Sequence, residues 1–256
     1  MIFLGEGRNI IVYIFFGILP SLVWLSYYLR KDVHPEPKRM ILKIFLWGIL
    51  ITIPVFFVQI GLKFLLDKTN ISSLNYELIY WFLIIALSEE FFKYLVIRLK
   101  VINSPNLDEP LDIMLYMVIA ALGFAALENI LYLFTPDQMS FYQIINRTLV
   151  IDFIRFIGAT FLHTLCSAVV GYSLAISFCE EKRKYTYVVA GLFVAMVLHG
   201  LYNFSIMALD GYIRLIIPVI IILTLAFIVF LGFEKLKKMK STCKINEINL
   251  IKFKKI

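Results

Sequence analysis

Charge is scarce in this chain. Only 17% of its 256 residues are Asp, Glu, Lys or Arg, while 61% are hydrophobic. So little polar surface cannot coat a water-soluble globule, and the solvent of the folded state must be lipid. Cysteine is also sparse. Cys166, Cys179 and Cys243 stand far apart with no CxxC pair, so neither a disulfide framework nor a thiolate metal site is signalled, and all three read as free thiols. No HExxH helix and no GxSxG elbow occurs, which removes the common zinc-peptidase and serine-hydrolase designs. An aspartate dyad lacks a second member, because Asp152 sits near the end of an apolar run with Arg155 three residues on as its expected partner. The +7 net charge forms no separate basic domain, so nucleic acid is not an expected partner.

What is abundant is apolar sequence in long runs. A helix needs ~20 apolar residues to cross a bilayer, and runs at 10–29, 41–66, 77–98, 111–134, 148–178, 186–208 and 212–233 meet that length. The fold expected is therefore all-α, a polytopic bundle of about seven transmembrane helices. Its membrane domain covers residues 1–234, and a basic tail covers 235–256, placed to lie against anionic headgroups. Basic residues collect in alternate connections: Arg30 to Lys43, Arg98 and Lys100, Lys182 to Lys184, and Lys235 to Lys240. The other connections hold little beyond Lys63, Lys68, Arg147 and Arg214. The positive-inside rule then places the N-terminus outside and the C-terminus in the cytoplasm.

Against this apolar background several ionisable residues stand out. One near the bilayer centre costs on the order of 2.5–3.5 kcal/mol, so each calls for an internal partner or a function. The third run contains ALSEEFFKYL, in which Lys93 follows Glu89 and Glu90 by one helical turn and shares their face. The fourth contains Glu128 and Asn129, the fifth His163, and the sixth His199 and Asn203 one turn apart. At ~1.5 Å per residue, Glu89, Glu90, Glu128, His163 and His199 fall within roughly 8 Å of the midplane. Four helices thus supply polar groups at one depth, the pattern of a single site in the core of a bundle. Adjacent acids in low dielectric favour one protonated and one ionised member, and the ionised one can serve as general base. The histidines can orient water or ligate a metal, and Asn203 can donate to an oxyanion. These are parts for hydrolysing an amide within a membrane. Buried Glu, Lys and His also serve proton- or cation-coupled transport, and a non-catalytic scaffold or immunity protein could use them only for packing.

Glu89–Lys93 as EEFFK, Phe124–Asn129 as FxxxEN, His163, His199 with Asn203 as HxxxN, and the PEP turn at Pro35–Pro37 occur in the order of a known group. Over roughly residues 10–208 the chain resembles the PrsW-like membrane proteases, within the broader group that includes the CAAX prenyl endopeptidases. It carries EExxK where the prenyl endopeptidases carry EExxxR. The resemblance implies a membrane-embedded endopeptidase of a bacterial cell membrane, acting on membrane-anchored proteins. The implied event is the first cut of an anti-sigma factor at the outer face. It implies catalytic roles for Glu89, Glu90, His163, His199 and Asn203, with Lys93, Glu128 and Asn129 in support. Glu90, His163 and His199 are the candidate metal ligands and zinc the candidate metal, and a metal-free glutamate mechanism fits the same residues. The orientation gives an immediate test. A fluorescent protein fused after Ile256 should fluoresce and alkaline phosphatase fused there should stay inactive, while the opposite pair of results would invert the topology.

Overall fold

A computed structural model describes residues 3–30, 35–134, 141–180 and 183–239. Part of the first loop, Lys31 to His34, Lys182, and the tail from Lys240 onward lie outside these residues. Among the described residues there are helices and no strand. They run α1 (Phe3–Leu29), α2 (Lys38–Leu66), α3 (Ser73–Leu78), a π-helical segment (Ile79–Leu87), α4 (Ser88–Lys100), α5 (Pro110–Leu133), α6 (Phe141–Ile157), α7 (Ala159–Cys179), α8 (Lys184–Ala208) and α9 (Ile213–Met239).

Six helical stretches are long and apolar enough to cross a membrane: Ile10–Leu29, Lys38–Leu66, Pro110–Leu133, Arg147–Cys179, Lys184–Ala208 and Ile213–Met239. The third expected span is more segmented. It passes without interruption from α3 through the π-helical segment into α4, and α4 carries the acids and bases that lower its apolarity. The fifth expected span is two helices, α6 and α7, which meet at Gly158. A Cβ there would lie 2.4 Å from the hydroxyl of Tyr202 on α8 and 2.9 Å from the Ile154 carbonyl oxygen, so the glycine makes room for the Tyr202 ring at the junction. Among the cysteines, Cys166 is buried and free as expected, whereas Cys179 is disulfide-bonded instead.

Helix α5 is the axis of the bundle. Of its membrane window 94% is buried, against 22% for the corresponding windows of α1 and α9. Its sequence is apolar on every side, as a helix surrounded by others must be. It begins sharply because Pro110 occupies the first turn and Glu109 and Asp112 form a capping box. Helices α1, α2 and α7 pack around it. Lipid offers no hydrophobic drive for joining apolar helices, so close backbone approach at small residues has to supply the contact energy. Gly48 of α2 and Gly123 of α5 provide it, with a Cβ on Gly48 falling 2.2 Å from the Ala120 carbonyl oxygen and one on Gly123 falling 2.0 Å from that of Phe45. Both obstacles are backbone and cannot rotate away. Gly123→Ala should therefore force α2 from α5 and destabilise the bundle by about 1–3 kcal/mol, the usual range for overpacking, read as a lowered unfolding temperature in detergent.

Candidate active site

The site begins where helix geometry changes. The wide turns of Ile79–Leu87 return to α-helix at Ser88, whose hydroxyl donates to the carbonyls of Ile84 (2.5 Å) and Ile85 (3.1 Å). Such π-helical stretches recur at functional sites because the changed pitch redirects the residues that follow. The next two residues are Glu89 and Glu90, both buried, and Lys93 one turn later is fully buried.

Glu90 is completely engaged. Its Oε1 accepts from Lys93 Nζ at 2.8 Å and lies 3.0 Å from His199 Nδ1, and its Oε2 accepts from the Ser167 hydroxyl at 2.8 Å. The Lys93 ammonium also lies 2.8 Å from His163 Nδ1 and 4.4 Å from the centre of the Phe124 ring. An ammonium has no acceptor to offer, so His163 Nδ1 accepts and the ring proton sits on Nε2. That Nε2 points at Glu128 Oε2 across 2.8 Å. The same reasoning makes His199 donate from Nδ1 to the Glu90 carboxylate and leaves a lone pair on its Nε2. Each imidazole is thus backed by a carboxylate, and the rings meet edge-on with centroids 5.0 Å apart.

Glu89 is the exception. Gln59 Nε2 donates to its Oε1 at 3.2 Å, but Oε2 is buried without a hydrogen-bond partner among the described residues. Around Oε2 stand Lys93 Nζ at 3.7 Å, His163 Nδ1 at 3.7 Å and His199 Nε2 at 3.8 Å. Among the described residues, Glu89, Glu90 and Glu128 face two side-chain cations, Lys93 and Arg155. With all three acids ionised, one negative charge is left over, and in a low-dielectric interior it demands a proton or a further cation.

Most of the residues singled out by sequence come together here. Glu89, Glu128, His163, His199 and Asn203 all line a cavity of about 490 Å³. Glu90 and Lys93 stand behind it as the paired support for His199 and His163. Asn129 is a buried hub, its amide donating to Thr160 Oγ1 (3.0 Å) and the Gly17 carbonyl (3.3 Å). Sequence reading did not anticipate Gln59, Ser167 or Arg155 as members. Arg155 turns inward to Glu128 (Nη2 to Oε2, 2.7 Å) and Asn129 (Nε to Oδ1, 2.5 Å), not to the expected Asp152. The signal for it was present, since an arginine in an apolar run needs a buried anion.

A metal site can be judged on the donor set. One ligand atom each from Glu89, His163 and His199 lies within a 4.8 Å group. The unpartnered Glu89 oxygen and the carboxylate behind each imidazole are the features that carboxylate–histidine–metal sites require. The three residues fit a divalent cation, with His163 Nδ1 exchanging its Lys93 hydrogen bond for the ion. Glu89, not Glu90, belongs to this trio, because both Glu90 oxygens are already held by Lys93, His199 and Ser167.

A membrane-spanning bundle that gathers acids, imidazoles and an amide around one cavity has the makings of a membrane-embedded hydrolase. Among known proteins, the family pattern of the PrsW family intramembrane metalloproteases matches residues 36–232, and the chain belongs to this family. It is 30% identical over 232 residues to Protease PrsW of Bacillus subtilis (strain 168), covering 90% of this chain and 95% of that one. It is 33% identical over 198 residues to Protease PrsW of Geobacillus kaustophilus (strain HTA426), covering 77% and 80%. No solved structure matches the chain. The protein is therefore a bacterial integral membrane endopeptidase with a protein substrate, and the transporter and non-catalytic scaffold readings are set aside. Elemental analysis should find close to one divalent metal per chain. Glu89→Gln, His163→Ala and His199→Ala should each lower that content 10-fold or more, while Asn203→Ala should leave it unchanged.

Proposed function

We propose that the chain cuts membrane-anchored proteins with Glu89 as the residue that activates water. The observation that carries this reading is that Glu89 lines the cavity while its Oε2, set between two imidazoles, has no hydrogen-bond partner among the described residues. Water beside this oxygen loses a proton to Glu89 as its oxygen attacks the scissile carbonyl carbon. The carbonyl oxygen becomes an oxyanion within reach of the Asn203 amide, and the proton passes on to the departing amine as the C–N bond breaks.

The remaining residues hold this machinery in register. Glu128, fixed by Arg155, keeps the His163 ring proton on Nε2. Glu90, fixed by Lys93 and Ser167, does the equivalent for His199 through Nδ1. Glu89, His163 and His199 are the residues that would hold the metal named by the family, and the two oxygens of the Glu89 carboxylate let one face the ion while the other takes the proton of water. When bound there, it supplies Lewis-acid polarisation and makes water more acidic.

The family resemblance supports a membrane-anchored anti-sigma factor as the substrate, cut first at the outer face. The test uses purified protein and a membrane-tethered reporter cut by the unmodified chain. Glu89→Gln should reduce cleavage by 10³-fold or more with expression and unfolding temperature retained. Asn203→Ala should lower kcat roughly 10²–10³-fold, the usual cost of an oxyanion donor, with KM little changed. Undiminished cleavage by Glu89→Gln would reject the mechanism.

A further inference from the structure

The catalytic cavity has a wall that the bundle leaves unfinished. Helix α6 packs on α1, α5 and α7, and makes no extended contact with α2 or α8. The gap is bordered by Phe56 of α2, Tyr132 of α5 and Ile154 of α6, and all three line the same cavity as Glu89. Phe56 and Ile154 are nevertheless 50% and 64% exposed. A residue that both lines an interior cavity and faces the outside marks a mouth. All three border residues belong to membrane-spanning segments, with Tyr132 beside the end of α5, so the mouth meets lipid close to one membrane face. Its border is aromatic and aliphatic, whereas the cavity floor carries Gln59, Asn203 and the catalytic acids and imidazoles.

That arrangement suits one occupant. A peptide bond inside a transmembrane helix is shielded, and a segment unwound for attack exposes backbone N–H and C=O groups that lipid cannot satisfy. Unwound backbone is tolerated at membrane depth only where protein or a wet cavity receives it. A volume of about 490 Å³ lies in the range of ligand-holding cavities. The floor amides can serve the exposed backbone while the rim accepts apolar side chains.

Resting on the peptidase reading above, we propose that the substrate's membrane segment enters sideways from lipid through the opening between α2 and α6, unwinding against Phe56, Tyr132 and Ile154 as it reaches Glu89. Arg155 shapes this mouth as well as the centre, since its guanidinium lies 4.0 Å from the Tyr132 ring centre while bonding Glu128. Residues flanking the cut should accordingly be large and apolar on the side that rests on the rim.

The test uses a single-span reporter protein cut by the unmodified chain. In a Glu89→Gln background, benzoylphenylalanine placed at Phe56 or Ile154 should photocrosslink to the reporter, while the same group at Leu223 should not. Leu223 is a lipid-facing control on α9, 65% exposed and outside the cavity lining. With Glu89 intact, Ile154→Trp should narrow the mouth and slow reporter cleavage 10-fold or more, whereas Leu223→Trp should leave the rate as it was. Adducts at Leu223 but not at Phe56 or Ile154 would overturn the entrance. So would the absence of mouth adducts together with full-rate cleavage by Ile154→Trp, which would send the substrate in from the aqueous end. A failure of the peptidase reading has a different signature, namely a reporter cut equally well by Glu89→Gln.

Discussion

Lys93 is the pivot of the structure. A fully buried ammonium in a lipid-solvated protein survives only if anions and lone pairs enclose it, and Glu90, Glu89 and His163 do so from two helices. Because the ammonium can only donate, it fixes the tautomer of His163, and this in turn obliges Glu128 to accept. Glu90, neutralised by Lys93 and held by Ser167, is free to do the same for His199. One charge thus sets the protonation pattern of both imidazoles and leaves Glu89 Oε2 as the oxygen with nothing to bind.

This network also explains why the bundle is built as it is. Four separate helices must deliver side chains to within hydrogen-bond distance, which requires backbones to approach more closely than ordinary side chains permit. Gly48 and Gly123 draw α2 against α5, and Gly158 lets Tyr202 reach the junction of α6 and α7. The cavity is the consequence of the opposite condition. Where α6 diverges from α2 and α8, the packing stops short and space remains beside the acids. Close packing on one side of the acids and imidazoles and its absence on the other give a rigid centre with an open flank.

Much of the fold was legible in the sequence because lipid imposes simple rules. Runs of apolar residues of spanning length must be helices, since no other open structure satisfies the backbone in hydrocarbon. The acids and histidines in those runs were conspicuous because lipid excludes them, and Glu89, Glu128, His163 and His199 do converge. Arg155 was misassigned to Asp152 because a spacing of three suggests a partner along the same helix, whereas a guanidinium reaches across helices for a more deeply buried anion.

Sequence alone settled that the chain lives in a membrane, that it is built of long apolar helices and which polar residues require an explanation, because the cost of a charge in lipid depends on little besides its identity and depth. Tertiary structure decided the division of labour. It made Glu90 a support and Glu89 the open carboxylate, gave Arg155 to Glu128, broke the fifth span at Gly158 and left the flank open beside α6. Those outcomes depend on distances of 3–4 Å between groups far apart in the chain, which no spacing along one helix can specify.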